Sequence, residues 1–216
     1  MILLVLASLL ASCAPAPASS AATPGPTALA PGSHTSKAFQ PPVSFSVPVG
    51  WFIDADTERY FALRPAISDL VGIHVFRSPV AAAEDEACPD SPEPGIGSTA
   101  RELSTWIQGR DGLTVSSPRL ASVGGLTGFE LDVQIEDGWT ASCPYANGLP
   151  AVPLFVSAEG DFRWVVAGTE RLRLSLLDAP GSVTLVVDVD AFDGALLPGL
   201  LASAQPIVRS MRFEVP

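Results

Sequence analysis

The fold of this chain is decided by Arg-Leu-Arg-Leu-Ser-Leu-Leu at 171–177 and by Ser-Val-Thr-Leu-Val-Val-Asp-Val at 182–189. The first stretch alternates apolar and polar residues with the period of a β-strand, and the second is an aliphatic run of strand length. Pro180-Gly181 lies between the two stretches and is typical of a tight turn. Together these residues predict two neighbouring antiparallel strands.

Turn sequences also separate short strand-like segments on both sides of this pair. Short apolar or alternating segments are separated by turn sequences such as Gly124-Gly125 and Asp137-Gly138. Further strands are therefore predicted over residues 43–47, 59–64, 71–77, 113–117, 119–123, 127–135, 162–167 and 211–215.

Two helices are predicted among these strands. Thr99 and Glu102 have the spacing of a capping box, and the helix that they begin is expected to end at Gly109. Residues 196–210 carry apolar side chains at helical spacing, and Pro206 is expected to kink this second helix. Strands and helices segregated in this way predict an α+β fold, in which an antiparallel sheet is flanked by two helices as an α-β-α arrangement.

The pattern of residues 43–215 resembles the fold shared by the PsbP photosystem proteins and the Ran-binding Mog import factors, which many bacterial exported lipoproteins of unassigned role also use. The resemblance implies the α-β-α arrangement and a binding or assembly role, without a shared catalytic site. The residues that carry it are Pro48-x-Gly50-Trp51, Tyr60-Phe-Ala-Leu63 and Ile207-Val-x-Ser210-Met-x-Phe213.

The N-terminal residues look like a bacterial lipoprotein signal. The apolar run over residues 2–11 has the length of a signal-peptide core and is too short to span a bilayer. Leu10-Ala11-Ser12-Cys13 follows the pattern in which the cysteine thiol is acylated and the preceding residues are removed. We therefore expect a signal peptide over residues 1–12 and a lipid on Cys13 that anchors the protein to the cell membrane, outside the cytoplasm. An ordinary secretory signal is the alternative.

Residues 13–38 differ in composition from the rest of the chain. Ala, Pro, Ser, Thr and Gly dominate, and Leu29 is the only large apolar residue. Such a segment buries too little apolar surface to offset its conformational entropy. We therefore expect a disordered tether that leads from Cys13 to a single α+β domain over residues 39–216, and no functional role for His34 within the tether.

The chain is strongly acidic, with 12 Lys and Arg against 23 Asp and Glu and a formal net charge of -11. This balance argues against a nucleic-acid partner, because neutralising phosphates requires clustered cations. Acidic residues concentrate at Glu84, Asp85 and Glu86, with Asp90 and Glu93 close behind. The cluster favours a solvated loop, and a site for a cation or a basic partner is the alternative.

Cys88 and Cys143 are the two cysteines of the predicted domain. Two thiols left in one extracytoplasmic domain usually pair, and each of these lies in a turn-rich context with a proline directly after it. A pair of metal-binding or catalytic thiols is the alternative, but no histidine lies near either cysteine in sequence. We therefore predict a disulfide between them.

No reactive constellation stands out in the sequence. His74 is the only histidine of the predicted domain, and its place on a strand favours a satisfied sheet-face residue over a catalyst. The chain contains neither a G-x-S-x-G nucleophile motif nor a His and Cys cluster typical of zinc. Gly95-Ile-Gly97-Ser-Thr-Ala100 matches a dinucleotide-binding fingerprint, but an acidic, proline-rich loop precedes it where that fingerprint requires a buried strand. We therefore expect no cofactor.

Two groups of residues remain as candidate sites. Asp188, Asp190 and Asp193 are the best cation candidate, because they gather three carboxylates in a short stretch. Their spacing departs from that of an EF-hand, and Asp193 also lies where it could cap the following helix. The candidate binding face is the loop layer around the two cysteines, with Glu84, Asp85, Glu86, Trp139 and Tyr145.

These observations favour a lipid-anchored, extracytoplasmic module that binds a protein or small-ligand partner without catalysis. An envelope hydrolase that uses scattered carboxylates is one alternative, and a cation-binding lipoprotein is another. A hydrolase would require the folded chain to bring two carboxyl groups to a catalytic separation, which sequence spacing does not report.

Overall fold

The computed structural model describes residues 26–85 and 87–215. Within these residues β-strands dominate, and two α-helices and one short 3-10 turn complete the secondary structure. The elements are β1 (Thr27–Ala28), β2 (Gly32–Thr35), β3 (Val43–Val47), β4 (Trp51–Asp56), β5 (Tyr60–Pro65), β6 (Val71–Arg77), β7 (Val80–Ala81), α1 (Ala100–Gln108), β8 (Leu113–Val115), β9 (Arg119–Val123), β10 (Leu126–Ile135), β11 (Ala151–Val156), β12 (Arg163–Ala167), β13 (Arg171–Ala179), β14 (Val183–Ala191), the 3-10 turn (Gly194–Leu196), α2 (Leu197–Ser210) and β15 (Arg212–Phe213).

A nine-stranded antiparallel sheet forms the centre of the molecule. Its order is β1-β4-β5-β6-β14-β13-β10-β8, and β9 pairs with the first half of β10. The predicted pair of strands lies in the middle, where β13 and β14 pair from Arg171 opposite Ala191 to Ala179 opposite Val183. The prediction of neighbouring antiparallel strands around the Pro180-Gly181 turn is therefore confirmed.

Each face of the central sheet is covered by one helix together with a three-stranded sheet. On one face, α2 and the sheet β15-β3-β2 enclose a core that includes Phe45, Val187 and Ile207. On the other face, α1 and the sheet β12-β11-β7 enclose a core that includes Leu103 and Leu154. The fold is mostly antiparallel sheet with two helices, so the predicted helix-flanked α-β-α arrangement understates how much of the covering layers is strand.

The predicted tether is too long at its C-terminal end. Strand β1 pairs with β4, and β2 pairs with β3 from Gly32 opposite Val47 to Thr35 opposite Ser44. Edge strands are held by backbone hydrogen bonds, so they do not require the apolar side chains whose absence suggested disorder. Residues 1–25, which include the predicted signal peptide and Cys13, lie outside the described residues.

Helix α1 begins as the sequence predicts. Thr99 is the N-cap, its side chain accepts a hydrogen bond from the Glu102 backbone, and the Glu102 side chain accepts from the Thr99 backbone. Gly109 is the C-cap. Helix α2 runs through Pro206 to Ser210. Neither helix of the described chain has the length and hydropathy that a bilayer span requires.

Candidate functional site

Cys88 and Cys143 form the disulfide that the sequence predicts, with a sulfur separation of 2.09 Å. The bond ties the loop after β7 to the loop that precedes β11. A groove of about 510 Å³ opens beside Cys88, and most of its polar wall comes from the acidic loop, the residues after α1 and the β10–β11 connection. Its charged and aromatic lining residues are Glu84, Asp85, Arg110, Asp111 and Trp139.

The groove is acidic, and its carboxylates are held in place. The Trp106 indole N–H donates to Glu84 at 3.0 Å, and the Arg110 guanidinium lies 3.3 Å from the same carboxylate. The Asp85 carboxylate accepts from the Ala87 backbone N–H at 2.7 Å. Three carboxylates face one guanidinium along the lining, because Asp111 adds to Glu84 and Asp85. The local charge therefore favours a cationic partner.

The structure brings together three of the five residues predicted for the binding face. Glu84, Asp85 and Trp139 line the groove, whereas Glu86 lies outside the described residues. Tyr145 packs against the disulfide but lines a different cavity, and its ring lies beneath the guanidinium of Arg163 at 3.8 Å.

A second polar site, which sequence reasoning did not find, is buried between the central sheet and β12. Asp190 Oδ1 lies 2.8 Å from His74 Nε2, and His74 Nδ1 lies 2.7 Å from the hydroxyl of Tyr60. Asp188 stands two residues before Asp190 on β14, so both side chains face the same side of the sheet. Glu170, in the turn between β12 and β13, completes a group that we call the carboxyl cluster: His74, Glu170, Asp188 and Asp190.

Burial and mutual repulsion govern the protonation of the carboxyl cluster. The Asp188 side chain is fully buried and neither of its oxygens accepts a hydrogen bond. Burial, followed by the charges of Asp190 and Glu170, raises the pKa of Asp188 well above its ordinary value, although the nearby indole N–H of Trp164 opposes the shift. Burial and then Asp190 raise the pKa of Glu170 to about 8. Burial and repulsion therefore favour the protonated forms of Glu170 and Asp188.

Aromatic rings enclose the carboxyl cluster. The Trp164 ring lies 4.5 Å from that of His74, and Phe76 and Tyr60 stack beside them. Burial, and then the charge of Asp190, raises the pKa of the Tyr60 hydroxyl, so this phenol stays protonated. His74 is thus a satisfied residue on the sheet face, as its lone place on a strand predicts.

A cavity of about 380 Å³ reaches the cluster at Glu170. Glu170 and Trp164 form part of its wall, together with Tyr145, Leu149 and Phe192. Glu170 itself is only 6% exposed, and its carboxyl group accepts a hydrogen bond from the Ala167 backbone N–H at 2.9 Å. The arrangement can therefore present one carboxyl group at the edge of a cavity whose wall includes three aromatic rings.

The three aspartates predicted as a cation site occupy two different environments. Asp188 and Asp190 belong to the buried carboxyl cluster, whereas the Asp193 carboxylate accepts from Ala195 N–H at 3.1 Å and caps the 3-10 turn. Among residues 26–85 and 87–215, no group of three or more His, Cys, Asp or Glu side chains is arranged to hold a metal ion. The capping role that the sequence offered for Asp193 is the one that the structure has.

No protein-family model matches the chain, and no curated protein matches it. The solution structure of the cyanobacterial PsbP protein CyanoP from Synechocystis sp. PCC 6803 is similar, with 10% identity, 92% of this chain and 99% of that chain covered, and a TM-score of 0.39. A crystal structure from Bacteroides thetaiotaomicron VPI-5482 is similar with 11% identity, 80% of this chain covered and a TM-score of 0.37, and the match spans 45% of that chain's length. At these identities and TM-scores neither likeness carries an argument about function.

Proposed function

We propose that this chain is an extracytoplasmic binding module, anchored to the membrane by a lipid on Cys13, which presents the acidic groove beside the disulfide to a cationic partner. The disulfide between Cys88 and Cys143 is the observation that carries the proposal. Disulfides persist in oxidising compartments and are rare in the cytoplasm, so the bond supports the export that the N-terminal signal predicts.

The disulfide also supports a binding role for the groove. The described residues of the loop, 83–85 and 87–98, contain neither a strand nor a helix, and such a loop gains order from a covalent link. Closing the 55-residue separation contributes about 4 kcal/mol in the chain-entropy model. A pre-ordered acidic loop loses less conformational entropy when a partner binds.

The anchor is tested by Cys13→Ser in cells supplied with labelled palmitate. We expect the wild-type chain to take up label and to sediment with membranes, and the variant to lose the label and leave the membrane fraction. Retention of Cys13→Ser in the membrane fraction would contradict the lipid anchor.

The groove is tested separately by cross-linking in whole membranes. Asp85→Lys combined with Asp111→Lys reverses the charge of the groove, and Glu58→Lys combined with Glu214→Lys makes the same number of charge reversals at exposed positions outside the groove. We expect the groove double variant to lose the cross-linked partner that the wild type and the control double variant retain. A partner captured equally by all three proteins would not depend on the groove.

An envelope hydrolase is a second candidate function, and the buried position of Glu170 at a cavity wall favours it. A buried carboxyl group with a pKa of about 8 at a cavity wall has the property required of a general acid. The test is release of reducing ends from purified cell-envelope polysaccharide, with Glu170→Gln as the control. Equal release by the wild type and the variant, or none by either, would eliminate this candidate.

A further inference from the structure

The large apolar side chains that remain exposed are gathered at one end of the molecule. Within residues 26–85 and 87–215, eight large hydrophobic residues are exposed, and six of them lie in turns at the same end of the central sheet. The turns are those before β4, between β5 and β6, before β11 and after β14. The six residues, which we call the apolar end, are Val49, Ile67, Leu70, Leu149, Phe192 and Leu196.

Hydrogen bonds and close packing join these turns into one surface. The Ala66 backbone N–H donates to the Gly50 carbonyl at 2.7 Å, which links the turns that carry Val49 and Ile67. The Phe192 N–H donates to the Leu70 carbonyl at 2.9 Å, which links the β5–β6 turn to the turn after β14.

The remaining turn is attached in the same way. Thr169 Oγ1 donates to the Phe192 carbonyl at 3.1 Å, and the Gly168 backbone N–H donates at 2.8 Å to the carbonyl of Pro150, the residue after Leu149. Leu149 and Phe192 line one cavity together. The apolar end spans the ends of strands β4, β5, β6, β14 and β13, which at ordinary strand spacing is about 20 Å across.

The charges at this end limit what can cover it. The turns that carry the six residues contain no Lys or Arg. Their carboxylates are Asp69, which is exposed, and Asp193, which is engaged as a cap. The next turn, after β10, carries Glu136 and Asp137 and gives the surface an acidic boundary. A partner surface that covers the apolar end must therefore be apolar. These turns have no basic residues that would attract anionic groups on such a partner.

The chain that leads to the lipid is short. Twelve residues lie between Cys13 and Pro26, and a chain of that length reaches at most about 45 Å. Thr27 pairs with Ile53, two residues from the start of β4 at Trp51, so Thr27 lies about 7 Å along the strand from the apolar end. A lipid on Cys13 would therefore keep the apolar end within reach of the bilayer surface.

We propose that the apolar end lies against the lipid bilayer and inserts its six side chains at the interface. The inference rests on the proposed lipid anchor, which brings the domain to the membrane, whereas the apolar end sets its orientation. Apolar side chains in the headgroup region add to membrane affinity by the area that they bury, without a need for basic residues.

The test uses the acylated protein in phosphatidylcholine vesicles with an environment-sensitive dye on one introduced cysteine. Ile67→Cys places the dye on the apolar end. Leu120→Cys is the matched control, because Ile67 is 89% exposed and Leu120 is 90% exposed. Leu120 pairs with Phe129 on β10, six residues or about 20 Å from the strand end at Ile135. The native disulfide stays oxidised during labelling without reductant, so the dye reports only the introduced position.

We expect brominated lipid to quench the dye at position 67 and to leave the dye at position 120 unchanged. Sedimentation with vesicles without quenching at position 67 would overturn the bilayer contact and leave the anchor standing. Equal quenching at both positions would also overturn it. A shift at position 67 seen only in whole membranes would indicate a protein partner in place of lipid, which contradicts the inference.

The same dye separates this inference from the anchor. Ile67→Cys combined with Cys13→Ser has no acylation site, and it is added to the vesicles at high lipid concentration. Quenching at position 67 of this variant would support a bilayer contact that does not need the lipid, whereas absence of acylation in the chain that keeps Cys13 would refute the anchor. Absence of acylation together with absence of quenching would overturn both.

Discussion

Asp132 and Asp188 are the same amino acid on the same sheet, and their surroundings drive their pKa values in opposite directions. Asp132 lies on β10, on the face covered by α2, and is hydrogen-bonded by both Arg119 and Arg173. Burial raises its pKa, but the hydrogen bonds from Arg173 and Arg119 outweigh burial, so the pKa of Asp132 is lowered. Asp188 lies on β14, on the opposite face, where burial is complete and no guanidinium contacts it.

A strand carboxylate is thus stabilised by its partners and not by its position in the sheet. We call the face that carries Asp132 the outer face, because this side chain is 36% exposed, and the face that carries the fully buried Asp188 the inner face. On the outer face, the pairs of Arg119 with Glu130 and of Arg173 with Asp132 form a network of guanidinium and carboxylate groups. On the inner face, a carboxyl group without such a partner stays neutral, because burying an unpaired charge is very costly. Groups whose pKa values are shifted by burial and specific neighbours concentrate at functional sites, so the inner face is the one to probe for function.

We predict first, and most strongly, that stability falls as the pH rises. A carboxyl group whose pKa is about 8 when folded and 4.5 as its ordinary value binds more protons in the folded state between these limits. The free energy of unfolding should therefore fall by about 3–5 kcal/mol between pH 5 and pH 8. Urea unfolding across this range measures the slope.

Glu170→Gln is the control for that slope, because glutamine cannot ionise. We expect the variant to be more stable than the wild type at pH 8 and about equally stable at pH 5, with a flatter dependence between them. A wild-type protein whose stability is constant or rises over this range would show that Glu170 is not held in its protonated form.

A smaller effect is expected from Asp188→Asn. In the unfolded wild-type chain Asp188 ionises at neutral pH, which favours unfolding, and asparagine removes that tendency. We expect the free energy of unfolding at pH 7.5 to rise by about 1–3 kcal/mol, with little change at pH 4. Chemical unfolding at both values measures the difference. Asp69→Asn, at an exposed turn, should change neither, and destabilisation by Asp188→Asn at pH 7.5 would mean that the carboxylate has an unrecognised partner.

Sequence patterns predicted the strands whose signal is local. Strands β13 and β14 alternate or run apolar around a clear turn, and their pairing follows directly. Strand β11 was missed because Pro153 lies within it, and proline is rare in a central strand. The structure accommodates Pro153 at a shift of register between it and Phe155, where β11 pairs with β12. Strand β2 was missed because its edge position leaves its side chains exposed.

The candidate sites also differ in whether a local sequence signal predicts them. Glu84, Asp85 and Trp139 were predicted together because the disulfide between their loops was predicted. The carboxyl cluster depends on contacts between distant parts of the chain, from His74 to Asp190, that no spacing reports. One local signal was present, since Asp188 and Asp190 place two acids on one face of an otherwise apolar strand.

On the outer face, Asp132→Asn should lower the free energy of unfolding by about 0.5–1 kcal/mol at neutral pH, since an exposed ion pair contributes little. The sign is opposite to that of Asp188→Asn. A carboxyl group with a lowered pKa stabilises the folded state above its ordinary value of 3.8 and loses that contribution as the pH falls through its folded pKa. The difference between Asp132→Asn and the wild type should therefore vanish in acid, which parallel urea titrations at pH 7 and pH 3 measure.

Salt should change the free energies of unfolding least, but its effect should differ clearly between variants on the two faces. Between 0.1 M and 1 M sodium chloride the screening length falls from about 10 Å to about 3 Å, which weakens exposed pairs and leaves buried groups almost unaffected. The destabilisation caused by Asp132→Asn should therefore shrink by a few tenths of a kcal/mol at high salt. The stabilisation caused by Asp188→Asn should stay constant, because the Asp188 side chain is fully buried and away from the salt in solvent. Equal salt dependence of the two variants would mean that solvent reaches Asp188, and the opposition between the two faces would then fail.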